Sequence, residues 1–282
     1  MNQKKRHFLV VAAASRGARF FVKKALMQGH DVTAICRADD DQGALDRVTG
    51  LIQERNLTAG GVPAAETAGK LLARSSNILQ SQTYKELLED DPSIDAICCF
   101  VGVAVTLKDF FSRKLQLYTK TFSAMVEGMR QSRWVETFVH GSGNCEGVPG
   151  EHVYEMPANF HPKWLWKLLM GTPAMMNYVK SEGILAQARA EGLKFVIFRP
   201  AALTMKPAKR QYGYSFDTTG LNKEEHPLRY AKKSISREDV AEEILRVATL
   251  PESERVKWHG HGVYLVDMKK VPREFNLPNN AG

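Results

Sequence analysis

Short apolar runs alternate along this chain with stretches in which apolar residues return every three or four positions, the pattern of buried strands separated by amphipathic helices. Residues 7–13 (HFLVVAA) are the first such run. Residues 19–28 then carry Phe20, Phe21, Ala25 and Leu26 at helical spacing and stop at Gly29, which can end a helix in the left-handed conformation. Residues 31–37 read as a second strand, so the chain opens with a strand, a tight turn, a helix and a strand. A helix is predicted at 46–53, inside a longer crossover that spans 39–73 and holds a loop at 57–63. A third strand is read at 76–80, a short helix at 83–89, a fourth strand at 94–101, a helix at 110–130 and a fifth strand at 135–140. Further on come a helix at 177–190 closed by Gly192, a sixth strand at 193–199 and a polar stretch at 206–233. Ser236 and Asp239 then form a capping box for a helix at 240–250, which Pro251 stops before a last strand at 262–266.

Strands alternating with helices predict an α/β fold: a doubly wound, mostly parallel Rossmann-type sheet with helices on both faces and a small C-terminal lobe on the substrate side. Residues 1–282 are expected to form one such domain, with 157–176 and 203–235 as substrate-side insertions. The first insertion crowds Phe160, Trp164, Trp166, Met170, Met175 and Met176 together. A helix buried against the sheet and a wall or lid facing a substrate both fit that composition.

Composition narrows the class. With 44% hydrophobic and 25% charged residues, the chain has the make-up of a globular protein with a substantial core. Its apolar runs fall short of the ~20 residues that cross a bilayer, so no membrane span is expected. Lys4, Lys5 and Arg6 ahead of an apolar run resemble a secretory signal only superficially, because Arg16 and Arg19 follow at once. Four cysteines, two of them adjacent, make no disulfide framework, and a reducing, cytoplasmic compartment is expected. The net charge of +8 would suit nucleic acid, yet acidic runs at 39–41 and 89–91 interrupt any basic stripe, and nucleic acid is not expected. A small anionic ligand would use local positive charge equally well.

In sheets of this kind ligands sit beyond the carboxyl ends of the strands, which directs attention to the first strand-to-helix turn. There Ala12, Ser15 and Ala18 hold the three positions where glycines customarily admit a dinucleotide, and Gly17 is the turn's own glycine. Alanine and serine can serve where the dihedrals are ordinary. The helix start still offers unpaired N–H groups and the positive end of its dipole to a phosphate, and Arg16 adds a full charge. At the end of the second strand Arg37 stands where an acid usually binds the ribose of NAD, and an arginine can pair with a 2′-phosphate. NADP(H) is therefore expected in preference to NAD(H). In the competing reading, Asp39 reaches the ribose and Arg37 points to solvent. The order His140-Gly141-Ser142-Gly143 lacks the nucleophile elbow of a serine hydrolase, no histidine pair has metal-ligand spacing, and no Walker loop is present.

These features, together with Gly29-His30-Asp31-Val32-Thr33-Ala34, Asp95-Ala96-Ile97, Phe138-Val139, Phe198-Arg199-Pro200-Ala201 and Ser236-Arg237-Glu238-Asp239, resemble in order the atypical short-chain dehydrogenases/reductases, the NAD(P)-binding group that includes NmrA-like proteins and biliverdin/flavin reductases. The resemblance extends over most of residues 7–266. It implies a cofactor groove lined by Ser15, Arg16, Arg37, Phe100, Val101, Gly102, Ser142, Pro200 and Ala201, and the expected cofactor-binding set adds Ala13, Gly17 and Lys180. Trp164, Met175 and Tyr178 are the substrate-side candidates. Where the wider superfamily carries a Tyr-x-x-x-Lys pair, alignment on Glu182 puts Ala174 and Tyr178, so the dyad is absent and no catalytic residue is assigned. Two functions stay open: an NADPH-dependent reductase of a small carbonyl, quinone or flavin-like acceptor, and a non-catalytic NADP(H)-sensing regulator of NmrA-like type. The expected partner is accordingly a small-molecule substrate or a regulatory protein.

Overall fold

The computed structural model describes residues 4–53, 69–102, 116–141, 173–200, 202–210, 212–216 and 234–266. Within them the strands are β1 (His7–Val11), β2 (Asp31–Cys36), β3 (Leu71–Ser75), β4 (Ala96–Cys99), β5 (Glu136–His140), β6 (Phe195–Arg199), β7 (Ala202–Thr204), β8 (Gly213–Phe216), β9 (Ser234–Ser236) and β10 (His261–Val266). The helices are α1 (Ala18–Met27), α2 (Asp41–Gln53), α3 (Ser81–Asp90), α4 (Gln116–Gln131), α5 (Pro173–Arg189), α6 (Arg237–Thr249) and a single turn, α7 (Glu252–Arg255).

The strands form an eight-stranded sheet in the order β3-β2-β1-β4-β5-β6-β10-β8, parallel except where β8 runs against β10, while β7 and β9 pair in parallel as a small separate ribbon. The chain winds outward from β1 to β3, crosses back, and winds the other way from β4, so the winding reverses between β1 and β4. This is the Rossmann-type architecture, and that reversal opens a crevice at the carboxyl ends of those two strands.

Period-two alternation distributes the strands' side chains between two cores. Phe8, Val10, Ala34, Cys98, Val196 and Phe198 pack with α1, α2 and α6, whereas Leu9, Val11, Ile35, Cys99 and Ile197 pack with α3, α4 and α5. Because both faces are covered, the central strands read as continuous apolar runs. The helices end where glycine permits: Gly29 has φ +82° and Gly192 has φ +109°.

Three readings need correction. The third strand lies at Leu71–Ser75, and the residues read as a strand form the turn after it, where Asn77 Oδ1 accepts from the Leu79 amide and the Gln80 amide donates to Asn77 O. β3 is an edge strand that buries only Ala73, so its hydrophobic signal is faint. The crossover therefore ends before 73. The polar stretch within the second proposed insertion contains β8, which extends the main sheet along β10. Within the first proposed insertion, residues 157–172 lie outside the described part. Cys36, Cys98 and Cys99 are buried free thiols, and no described helix is long and apolar enough to cross a membrane.

Candidate dinucleotide site

β1 ends at Val11, and the chain must reverse to start α1. Ala12 takes φ +58°, the left-handed region, at the first of the three customary glycine positions. The dihedrals there are not ordinary, contrary to expectation, and an L-residue in that region costs roughly 1–2 kcal/mol. The turn is pinned by the Ala13 amide donating to Ile35 O at 3.0 Å, the Ser15 amide to Ala12 O at 2.8 Å, and the Ala18 amide to Ser15 Oγ at 3.2 Å. The amides of Ala14, Arg16 and Gly17 have no acceptor among the described residues. Open amides at the start of a ten-residue helix are a ready anion site, and the side chain of Arg16 is exposed beside them.

A cavity of ≈ 670 Å³, within the ~300–1,000 Å³ typical of ligand sites, opens on this turn. Ala12, Ala14 and Ser15 form one wall, Arg37, Ala38 and Arg47 a second, and Ser75 to Leu79 a third. Arg37 follows β2 directly. Arg47, one turn into α2 from Gly43, reaches back so that its Nη1 donates to Arg37 O at 2.9 Å. The nearby acids are engaged elsewhere. Asp40 accepts from the Gly43 amide at 2.7 Å; Asp41 accepts from Arg74 Nη1 and the Ser75 amide, each at 2.7 Å, and the Arg74 bond foremost holds its carboxyl below the usual range. Asp39, the competing ribose ligand, does not line the cavity. This end of the cavity thus presents two guanidinium groups together with Ser75 Oγ, which donates to Ala38 O at 2.6 Å.

Beyond β4, the buried Phe100 ring packs between Phe21 (5.3 Å between centroids) and His140 (6.3 Å, nearly parallel). Burial, helped by the charge of Arg237, pushes the His140 imidazole down to about 4, so it is neutral at physiological pH. Gly141 follows at the end of β5 and approaches β6 so closely that a Cβ there would lie 2.6 Å from Ile197 Cγ2 and 3.0 Å from Phe198 O. Glu182 on α5 holds the fully buried Arg199 at 2.7 Å, and Arg199 Nη1 donates to Tyr264 Oη at 2.7 Å. This cluster braces α5, β6 and β10 at the same end of the sheet.

Of the residues expected from the sequence, Ser15 and Arg37 meet in the cavity. Ala13 is wholly buried, so its side chain packs in the core, and Gly17, Phe100, Val101 and Gly102 flank the crevice at β1 and β4. The Gly17 backbone is right-handed, with φ −86°, and a Cβ there would stand at an ordinary 3.4 Å from Phe100. Pro200 is buried past β6, and Lys180 is exposed on α5. Ser142, Trp164 and Ala201 lie outside the described residues, as do the side chains of Met175 and Tyr178 on α5. Arg47 and Ser75 were not anticipated: nothing in their local pattern marks them, and only the packing of α2 and β3 beside β2 brings them to Arg37. No cluster of three or more potential metal ligands occurs among the described residues.

Neither protein-family models nor curated protein sequences give a match to this chain. Solved structures do. The anaerobillin reductase of Escherichia coli O157:H7 is similar over 94% of this chain and 99% of its own, with 14% identity and a TM-score of 0.54. An oxidoreductase of Lactococcus lactis is similar over 93% and 90%, with 13% identity and a TM-score of 0.55. A Rossmann-fold NAD(P)-binding family protein of Shigella flexneri is similar over 99% and 97%, with 13% identity and a TM-score of 0.53. At such identities the likeness establishes the fold alone, a Rossmann-type α/β fold.

Proposed function

We propose that this chain is an NAD(P)H-dependent oxidoreductase that prefers NADP(H) and passes hydride to a small carbonyl, quinone or flavin-like acceptor. The observation that carries the reading is the cavity at the carboxyl ends of β1, β2 and β3, with Ala14, whose amide is open, at one wall and Arg37 and Arg47 at another. The donor set fits a dinucleotide: amides of Ala14, Arg16 and Gly17 for a diphosphate, and paired guanidinium groups for a 2′-phosphate. The names borne by structurally similar proteins, a reductase and an oxidoreductase, favour hydride chemistry over sensing.

When bound, the nicotinamide supplies the hydride, and the chain's task is to bind, orient and exclude water. With Ala174 and Tyr178 at the positions of the Tyr-x-x-x-Lys pair, the customary phenol–ammonium couple does not stand at its usual place to protonate an alkoxide. Acceptors whose reduced form needs no concerted proton from such a couple, quinones and flavins, suit the site best. His140, neutral and stacked on Phe100, is not charged to serve as an acid near neutral pH.

The test is titration of the full chain with NADPH and NADH, followed by a screen of quinones, flavins and aldehydes for oxidation of NADPH. Turnover with a quinone or flavin is expected. Tight binding of NADPH with no turnover across all three classes would replace the reductase by a nucleotide-sensing regulator.

A further inference from the structure

The run Arg37-Ala38-Asp39-Asp40-Asp41 sets three acids just after the arginine proposed to meet a 2′-phosphate. Left within reach, they would offset its charge and repel the phosphate. Folding disposes of each differently. Asp39 does not line the cavity, and Asp40 Oδ1 accepts from the Gly43 amide in the first turn of α2.

Asp41 is the acid that stays at the rim. The parallel register of β2 and β3 sets Arg74 beside Ile35 and Ser75 beside Cys36, the residue that precedes Arg37. From there Arg74 Nη1 donates to Asp41 Oδ2 and the Ser75 amide to Asp41 Oδ1, each at 2.7 Å, so both carboxylate oxygens are held. Ser75 itself lines the cavity, and its hydroxyl ties down Ala38 O, which belongs to the wall with Arg37 and Arg47. The carboxylate thus stands a single residue, Ser75, away from the cavity. Arg74, which does not line the cavity, is the cation that answers it. An ion pair whose side chains are 45% and 48% exposed adds little to stability. Its effect on a doubly charged group bound beside it is larger, because the ligand meets either a neutral pair or a bare carboxylate.

We propose that Arg74 is a positioning residue for nucleotide selection: by pairing with Asp41 it neutralises the acid at the rim and leaves the charge of Arg37 and Arg47 to the 2′-phosphate. The inference rests on the NADP(H) reading above and deepens it with a residue from β3. The effect falls on NADPH, because NADH presents an uncharged hydroxyl at that position.

The full chain and its Arg74→Gln, Asp41→Asn and doubly substituted variants are titrated by calorimetry with NADPH and NADH. Both positions lie at the surface, so the variants are expected to fold. Arg74→Gln should lower the ratio of NADPH to NADH affinity by about threefold at low ionic strength, and the gap from wild type should narrow in high salt. Asp41→Asn keeps the shape of the side chain and an acceptor for the Ser75 amide, and should hold or raise the ratio. In the double variant the ratio should return to that of the wild type, a rescue that loss of a merely structural contact would not show. An unchanged ratio in Arg74→Gln, or a fall that persists in the double variant or in high salt, overturns the role of Arg74 and leaves the NADP(H) reading standing. A wild type that binds NADPH no more tightly than NADH overturns that reading and this inference with it.

Discussion

Ala12 shows how much a single residue can conceal. By composition the turn looks worn, since alanine replaces the glycine that a left-handed backbone favours, yet the backbone still adopts φ +58°. Strain of this kind persists where the surrounding structure over-determines it, as the Ala13 and Ser15 amide bonds do here. Ala12→Gly should therefore raise the unfolding free energy by about 1 kcal/mol, read as a higher urea midpoint with unchanged slope; an unchanged or lower midpoint would mean the turn carries no such strain. His140 makes a second prediction. Its folded pKa of about 4 lies below the ordinary 6.5, so the unfolded chain binds more protons between those values, and stability present above pH 6.5 is lost as pH falls toward 4. The expected loss is of order 2 kcal/mol, less than the full shift implies because the ring keeps some solvent contact. His140→Phe, which can retain the stack on Phe100, should flatten this part of the stability–pH curve, and an unaltered slope would assign it to other groups. Glu136 acts in a lower window. Burial raises its pKa, but His259, Arg6 and Arg255 outweigh that and bring it to about 2, so its contribution is lost only as pH falls below 4.5. Ser15 and Arg37 were legible from the sequence because each stands at a strand end whose position the hydrophobic run fixes. Arg47 was not, because a guanidinium on a helix looks like a solvated surface charge until the packing of that helix is known.

At the scale of elements, the strongest local signals were chemical punctuation. Gly29 and Gly192 end their helices at positive φ, and Ser236 caps α6, its Oγ accepting from the Asp239 amide at 2.9 Å. Ser236→Ala should cost about 1 kcal/mol by denaturant titration. Because Asp239 also holds the amides of residues 209 and 210, the same variant should increase hydrogen exchange there. Loss of stability without that local change would confine the cap to the helix. β3, β7 and β8 escaped the sequence reading for a common reason. They are short strands in edge positions or in the small β7–β9 ribbon, and they lack the continuous apolar run that betrays a strand buried on both faces. β3 matters for the site, since its carboxyl end supplies Ser75 to the cavity.

For the whole molecule, the alternation of strands and helices was enough to yield the parallel sheet and its two helical layers. The reversal between β1 and β4 follows from the strand order, and the adjacency of β1, β2 and β3 in that order puts the β1–α1 turn, the end of β2 and the end of β3 around one cavity. The proposed nucleotide preference rests on that assembly rather than on any one segment, because Arg37, Arg47 and the engaged Asp41 come from a strand end and from one helix. The most direct measurement is calorimetric titration of the full chain and of Arg37→Ala with NADPH and NADH. NADPH should bind the wild type at least about tenfold more tightly than NADH, and Arg37→Ala should largely erase that difference while leaving NADH affinity within about twofold. Equal weakening of both nucleotides by Arg37→Ala, or no association of either with the wild type at millimolar concentration, would contradict the account.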